Sequence, residues 1–286
     1  MKTHLIVGPV LAGLLALVDL SAAGGAAQIR PIEVGYCTRL EHLEAAKAAG
    51  FDYVELATSE IAALSDPEFE QAAARIRRVG LPVPATNLFL PPALKVTGPD
   101  INRDQQMAYV TRAFTRLARI GTTIAVFGSG PARMVPAGFP KDQAVQQLVE
   151  FGRRIAPEAR ARGITIAVEP LRPEETNIIN SAAEGMALVN AIADPNFQLM
   201  VDFYHLASVK EDPAIIVRAR DHIRHLHMAN PEGRVFPRTL DEYDYAPFFA
   251  ALRAIGYDKR ISIEASTKAL ETDAPMAIAL LRRAIP

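Results

Sequence analysis

The feature that most constrains the fold is a regular alternation of short apolar runs and longer helical segments. Short unbroken apolar runs are typical of strands buried on both faces, as in parallel sheets. The eight predicted strands are residues 32–36, 53–56, 83–89, 122–127, 164–168, 198–201, 223–228 and 260–263. A predicted helix follows each strand, and no linker divides the series. This pattern predicts an α/β chain folded as a single (β/α)₈ barrel, the TIM barrel.

Length and composition agree with one barrel, since such a domain takes about 250 residues and the chain has 286, half of them hydrophobic. The alternative is an open doubly wound sheet, which usually carries a dinucleotide-binding fingerprint. Gly128-Ser129-Gly130 lacks the third glycine of that fingerprint, so it indicates a phosphate site only weakly.

The first 27 residues have the pattern of a secretory signal peptide. A positively charged start, an apolar stretch over 5–18 and small residues over 21–27 follow one another. The apolar stretch is short for a membrane span, although an uncleaved anchor is the alternative. We therefore expect a signal peptide over 1–27, a barrel over 28–286, and a periplasmic or secreted protein without a membrane association after cleavage.

Charge and cysteine content limit the partners. A net charge of −1 argues against a nucleic-acid partner, which would call for a basic surface. Cys37 is the only cysteine, so an intramolecular disulfide is impossible. We interpret Cys37 as a small buried hydrophobic residue.

Metal-capable side chains stand at the ends of four consecutive predicted strands. Glu169 ends the fifth strand, where Pro170 stops it, and Asp202, His227 and Glu264 end the next three. The carboxyl ends of barrel strands surround one mouth, so these side chains should converge. Three converging carboxylates repel one another unless a cation holds them ionised. The pattern predicts a site for a divalent metal, with Mn²⁺ expected and Mg²⁺, Co²⁺ or Zn²⁺ as alternatives.

The same strand ends carry a family resemblance. Glu169-Pro170-Leu171, Asp202-Phe203-Tyr204-His205, His225-Leu226-His227 and Ile263-Glu264 resemble the xylose-isomerase-like barrel superfamily, and within it the ketose 3-epimerases and hydroxypyruvate isomerases. The resemblance implies a small carbohydrate substrate. Because family members often form dimers, it also allows a homodimer.

Roles for individual residues follow from that resemblance. It implies that Glu169 and Glu264 both bind the metal and act as the acid/base pair, while Asp202 and His227 complete the metal shell. It further implies that Glu175, His205 and Arg234 contact substrate hydroxyls.

The chemistry itself leaves several outcomes open. Two glutamates on non-adjacent strands can flank a sugar, and a metal-stabilised enediolate would connect removal of a proton with its return. Return to the opposite face is epimerisation, and return to the neighbouring carbon is aldose–ketose isomerisation. We expect one of these on a free sugar or keto-sugar. The alternatives are a lyase of the inosose-dehydratase type, an enzyme acting on keto-glycosides, and a non-catalytic exported sugar-binding protein.

Other polar residues near the strand ends have two interpretations each. Glu55 faces the mouth or forms a structural ion pair, and His225 supports a metal ligand or fills the barrel. Asn87 is a candidate for substrate binding, because the long loop over 90–104 beside it resembles an active-site loop. The chain has no tryptophan, so an aromatic cover for the sugar would have to come from Phe127, Phe89 or Tyr36.

Overall fold

A computed structural model describes residues 32–285 together with Met1 and His4. The predicted signal peptide therefore lies outside the described residues, except for those two positions. Among the described residues, the helices are too short or too polar to cross a membrane.

The strands form one closed, all-parallel barrel. They are β1 (Glu33–Thr38), β2 (Tyr53–Ala57), β3 (Ala85–Asn87), β4 (Ile124–Phe127), β5 (Thr165–Val168), β6 (Phe197–Asp202), β7 (Ile223–Met228) and β8 (Arg260–Ile263). Each strand pairs with the next along the chain, and β8 pairs with β1. The predicted (β/α)₈ barrel is confirmed, and the open doubly wound sheet is excluded.

Helices surround the barrel. Within 32–285 they are α1 (Leu43–Ala48), α2 (Thr58–Ala63), α3 (Asp66–Val79), α4 (Arg103–Arg119), α5 (Gly130–Arg133), α6 (Lys141–Arg160), α7 (Ala182–Ile192), α8 (Phe203–Ser208), α9 (Ala214–Arg218), α10 (Ala246–Ala254) and α11 (Leu270–Ala284). Three of them, α2, α5 and α8, are additional to the one helix predicted between successive strands. They have four to six residues, too few to show a helical period, and each begins within three residues of a strand end.

Local signals fix the longer helices. At the start of α3, Ser65 accepts a hydrogen bond from the Glu68 amide while the Glu68 side chain reaches back, so Ser65 forms the capping box. Ser65, and not Asp66, is therefore the N-cap residue of α3. Gly80 ends the same helix in a left-handed conformation with φ of 67°.

The barrel interior has two chemically distinct sides. On β4 to β6 a small apolar cluster fills it, formed by Val126, Ala167 and Met200. On the opposite side Glu55 of β2 bonds to His225 of β7, and these strands are not neighbours, so the contact crosses the interior. This polar side lies beneath the strand ends that form the mouth.

Candidate active site at the mouth of the barrel

The four predicted strand-end residues meet at the mouth. Glu169, Asp202, His227 and Glu264 each offer a ligand atom, and these atoms all lie within 4.8 Å of one another. His227 is central, because its Nδ1 is 3.2 Å from Glu169 Oε1 and 3.3 Å from Glu264 Oε2. The structure brings the predicted metal ligands together, while their roles stay predictions.

The three carboxyl groups have different pKa values because burial, mutual repulsion and neighbouring cations act on them to different extents. Burial, reinforced by the charges of Glu169 and Glu264, raises the pKa of Asp202 to about 8. Burial and the charge of Glu264 also raise the pKa of Glu169. For Glu264, His227 and Arg234 outweigh the opposing effect of burial and lower the pKa to about 2. A cluster with these opposing shifts is one that a cation would stabilise as fully ionised.

The hydrogen bonding of Asp202 also fits a metal ion. Its Oδ1 accepts a 2.8 Å hydrogen bond from the Tyr204 amide and so caps α8. Its Oδ2 is buried and has no hydrogen-bond partner among the described residues. Because buried polar atoms are normally paired, an unpaired carboxylate oxygen beside two further carboxylates and an imidazole suits a divalent cation.

His227 is held from below by Glu55. The Nε2 atom of His227 lies 3.1 Å from Glu55 Oε1, on the side opposite the carboxylate cluster. Burial acts to lower the pKa of His227, but Glu55 and the other negative groups outweigh it and raise that pKa well above its usual value. Metal binding at Nδ1 would displace a proton there, and Glu55 would then fix the Nε2–H tautomer.

Two residues beneath the cluster, Tyr53 and Ser262, were missed by sequence reasoning. Ser262 Oγ donates to Glu55 Oε2 at 2.6 Å and lies 2.9 Å from the Tyr53 hydroxyl. His225 Nε2 is 2.8 Å from the same Glu55 oxygen. Glu55 is thus a buried support for His227 rather than a residue exposed in the mouth, and His225 adjoins that support. An isolated carboxylate in the apolar run of β2 was the only sequence signal for it.

The three predicted substrate-binding residues also lie at the cluster. Arg234 Nη2 is 2.6 Å from Glu264 Oε2, and its Nη1 is 3.3 Å from Glu175 Oε1. His205 Nε2 is 4.0 Å from Glu175 Oε2 and 3.6 Å from Asp202 Oδ2. All three side chains therefore border the predicted metal ligands.

His205 is neutral and carries its proton on Nε2. Its Nδ1 accepts a 3.2 Å hydrogen bond from the Arg172 amide, which fixes the tautomer. Burial, with the charge of Arg234, lowers the pKa of His205 to about 3. The Nε2 atom is buried without a partner among the described residues, so His205 has a free donor beside the cluster. It lies on α8, not in a loop.

A cavity of about 860 Å³ opens over the cluster. Its charged lining comprises Arg39, Glu60, Glu169, Glu174, Glu175, Arg234 and Glu264. Its apolar lining includes Leu88, Leu90, Pro92, Met134 and Leu171. The loop over 90–104 thus contributes to the cavity wall, as predicted.

Two expectations about the surroundings need correction, those for the aromatic cover and for Cys37. Phe127, Phe89 and Tyr36 do not line the cavity, and the two phenylalanines pack edge to face in the core with a centroid distance of 5.8 Å. Cys37 is half-buried and lines the cavity, with its Sγ 3.8 Å from His227 Nε2. Asn87 lines the cavity, so it stays a candidate for substrate binding, and it also donates a 3.0 Å hydrogen bond to Glu264 Oε1.

Comparison with known proteins identifies the family of the chain. The family model described as a xylose isomerase-like TIM barrel matches residues 43–284. L-ribulose 3-epimerase from Mesorhizobium japonicum is 28% identical over 222 residues, which are 76% of this chain and 72% of that protein. D-psicose 3-epimerase from Ruminiclostridium cellulolyticum is 26% identical over 235 residues, 78% and 76% of the two chains.

The fold is also shared with solved structures. The crystal structure of D-allulose 3-epimerase from Methylomonas sp. has a TM-score of 0.74 and 22% identity, covering 89% of this chain and 98% of that one. The predicted family is confirmed by the match over most of the barrel. The chain belongs to the xylose isomerase-like TIM barrel family.

Proposed function

We propose that this chain is a divalent-metal-dependent sugar epimerase or isomerase that moves a proton on a carbon next to a carbonyl group. The carrying observation is the convergence of ligand atoms of Glu169, Asp202, His227 and Glu264 within 4.8 Å, with Glu169 and Glu264 lining the cavity. The relatives named above are 3-epimerases of ketoses, which agrees with the isomerase class predicted from the sequence. They also favour epimerisation over aldose–ketose isomerisation.

Glu169 and Glu264 are the proposed acid/base pair. They follow β5 and β8, and each places a carboxylate oxygen close to His227 Nδ1, at 3.2 and 3.3 Å. A carboxylate can accept a proton and a carboxylic acid can donate one, so two glutamates suffice for removal and return of a proton. One glutamate would remove the proton from one face of the sugar, and the other would return it to the opposite face.

The metal would be held by Glu169, Asp202, His227 and Glu264. The proposed ion is Mn²⁺, with Mg²⁺, Co²⁺ and Zn²⁺ as alternatives. When bound, the ion would supply Lewis-acid stabilisation of the negative charge that develops on the substrate oxygens.

Substrate orientation is assigned to the side chains that border the cluster. The free Nε2–H of His205 can donate to a sugar hydroxyl, and Glu175 can accept from one. Arg234, which bridges Glu175 and Glu264, would bind hydroxyl oxygens and hold both carboxylates in place. A free sugar or keto-sugar is the proposed substrate class.

Export and assembly are proposed on sequence alone. The signal-peptide pattern over 1–27 supports a periplasmic or secreted enzyme, and the family resemblance supports a homodimer. Mass spectrometry of the mature N-terminus would test cleavage, and sedimentation would test the dimer.

The experiment that tests the reaction is proton exchange followed by NMR. Metal-loaded enzyme is incubated in D₂O with a panel of free ketoses, aldoses and keto-sugars. We expect deuterium at a carbon next to the carbonyl, inversion at that carbon, and loss of both signals with a chelator. Label at the neighbouring carbon would indicate an isomerase, and loss of a β-hydroxyl a dehydratase. Metal binding without exchange on any sugar would contradict the proposal.

A further inference from the structure

The turn after β4 contacts Glu169 at two points, through Gly128 and Arg133. It comprises Gly128-Ser129-Gly130 and the short helix that ends at Arg133. The sequence indicated this glycine pair only weakly, as a phosphate site. In the structure the turn lies directly against a carboxylate, which would repel a phosphate. Its function must therefore be sought in what it does to Glu169.

Arg133 is a fully buried cation that bonds only to main-chain oxygens. Its side chain is 0% exposed. Within 32–285, Nη1 donates to the Phe127 carbonyl at 3.0 Å and Nη2 to the Glu169 carbonyl at 2.6 Å. Burial lowers the pKa of Arg133 to about 10, so it remains charged at neutral pH. Burying a cation without a carboxylate partner is costly in free energy. Arg133 nevertheless occupies such a position, between the ends of β4 and β5.

The two bonds of Arg133 fix the backbone of Glu169 on both sides. The Glu169 amide donates to the Phe127 carbonyl at 3.1 Å, and that same oxygen accepts from Arg133 Nη1. Arg133 Nη2 then reaches the Glu169 carbonyl. The amide and the carbonyl of Glu169 are thus tied into one ring of hydrogen bonds, which fixes the point from which the side chain extends.

Gly128 fixes the carboxylate end of the same side chain. A Cβ atom at Gly128 would lie 2.3 Å from Glu169 Oε2, far inside van der Waals contact. The φ of Gly128 is not in the left-handed range, so the backbone itself would accept alanine. Glycine is therefore required at position 128 because the Glu169 carboxylate occupies the space that a Cβ atom would need, and not because of the backbone conformation of the turn.

We propose that Arg133 and Gly128 are positioning residues for Glu169, with Arg133 holding its backbone and Gly128 leaving the one space that its carboxylate occupies. This inference rests on the proposed function, in which Glu169 is both a metal ligand and a member of the acid/base pair. Arg133 does not line the cavity, and Gly128 lines it next to Glu169. Both act through Glu169.

Gly128→Ala tests the proposal with a single added methyl group. We expect Mn²⁺ affinity, measured without sugar by competition with a chelator, to fall about 10- to 100-fold, the range typical of residues that orient metal ligands. At saturating Mn²⁺, kcat should fall while KM changes little, since the residues assigned to substrate hydroxyls are untouched. Melting temperature should change little, because the displaced atom is the end of a flexible side chain.

Gly152→Ala is the matched control. A Cβ atom at Gly152 would lie 2.2 Å from Ile192 Cδ1, so the crowding is the same but falls between α6 and α7. This variant should alter the melting temperature without changing Mn²⁺ affinity or kcat. Arg133→Lys and Arg133→Met complete the series, and lysine, which keeps the charge and one donor to a carbonyl, should restore part of the affinity that methionine loses.

The outcomes separate this inference from the proposed function. Wild-type protein that binds Mn²⁺ and turns over sugar, with Gly128→Ala unchanged in both, would overturn the positioning role and leave the proposed function standing. Wild-type protein that binds no divalent ion would overturn both. If Arg133→Met does not fold, the Gly128→Ala and Gly152→Ala pair still decides the question.

Discussion

Two buried carboxylates in the same barrel interior, Glu55 and Asp202, have opposite environments. Both oxygens of Glu55 are bonded, to His227 on one side and to His225 and Ser262 on the other. The two histidines outweigh burial and hold its pKa well below the usual value. Asp202 has one oxygen that accepts no hydrogen bond from the described part of the chain, and its pKa is raised to about 8. A satisfied buried charge supports the fold, whereas an unsatisfied one marks a place where a ligand completes the bonding.

Removing the charge of Glu55 should have the largest effect on stability. In Glu55→Gln the carboxylate that accepts from His227, His225 and Ser262 is lost, and breaking one partner of a buried charged pair costs about 3–5 kcal/mol. Denaturant unfolding would measure the loss. Tyr53→Phe is the control, since it removes only the hydroxyl that lies 2.9 Å from Ser262 and should cost about 1 kcal/mol. Equal stability of Glu55→Gln and wild type would contradict the role of Glu55 as a support of the fold.

Asp202→Asn should leave the fold intact and impair the metal site. Asparagine can still cap α8, so secondary structure should be retained, while affinity for Mn²⁺ should fall at least about 100-fold. Titration calorimetry would measure that affinity. An Asp202→Asn protein that binds Mn²⁺ as tightly as wild type would remove Asp202 from the metal site.

The same variant should change how stability depends on pH. In the metal-free protein the pKa of Asp202 is raised from 3.8 to about 8, so the folded state keeps a proton that the unfolded chain releases. The contribution of this group to stability is therefore lost as pH rises from about 4 to about 8. Asp202→Asn should lack that part of the slope.

His205 should have the smallest effect, confined to substrate binding. His205→Asn keeps an acceptor for the Arg172 amide but removes the Nε2–H donor, so KM should rise about 10-fold, the value of one hydrogen bond. His205→Gln places an amide nitrogen near the lost donor and should recover part of the affinity. A KM for His205→Asn equal to that of wild type would show that the free donor does not contact the substrate.

The barrel and the convergence at its mouth could be predicted from the sequence because both follow from regular patterns. Alternating strands and helices define the barrel, and geometry then places the ends of β5 to β8 side by side. The bounds of β7 and β8 were predicted correctly. Asp202 caps α8, and a cap residue is a sequence signal for the start of a helix. The segment is too short to show a helical period, so this helix was not predicted.

The supporting residues could not be predicted, because their contacts span long stretches of chain. Tyr53 and Ser262 are 209 positions apart, and neither has a sequence signal of its own. Nothing in the sequence distinguishes Arg133 from a surface arginine, yet its side chain is fully buried and donates to two carbonyl oxygens. Such residues become visible only when the closed barrel places distant strands across its interior.

The most direct test of the account is turnover by Glu169→Gln and Glu264→Gln, each measured with sugar binding. General acid–base catalysis contributes about 10²–10⁴-fold, so each variant should lose turnover and solvent deuterium exchange by about that factor while Mn²⁺-loaded protein still binds the sugar. Unchanged turnover in both variants would contradict the assignment of these two glutamates as the acid/base pair.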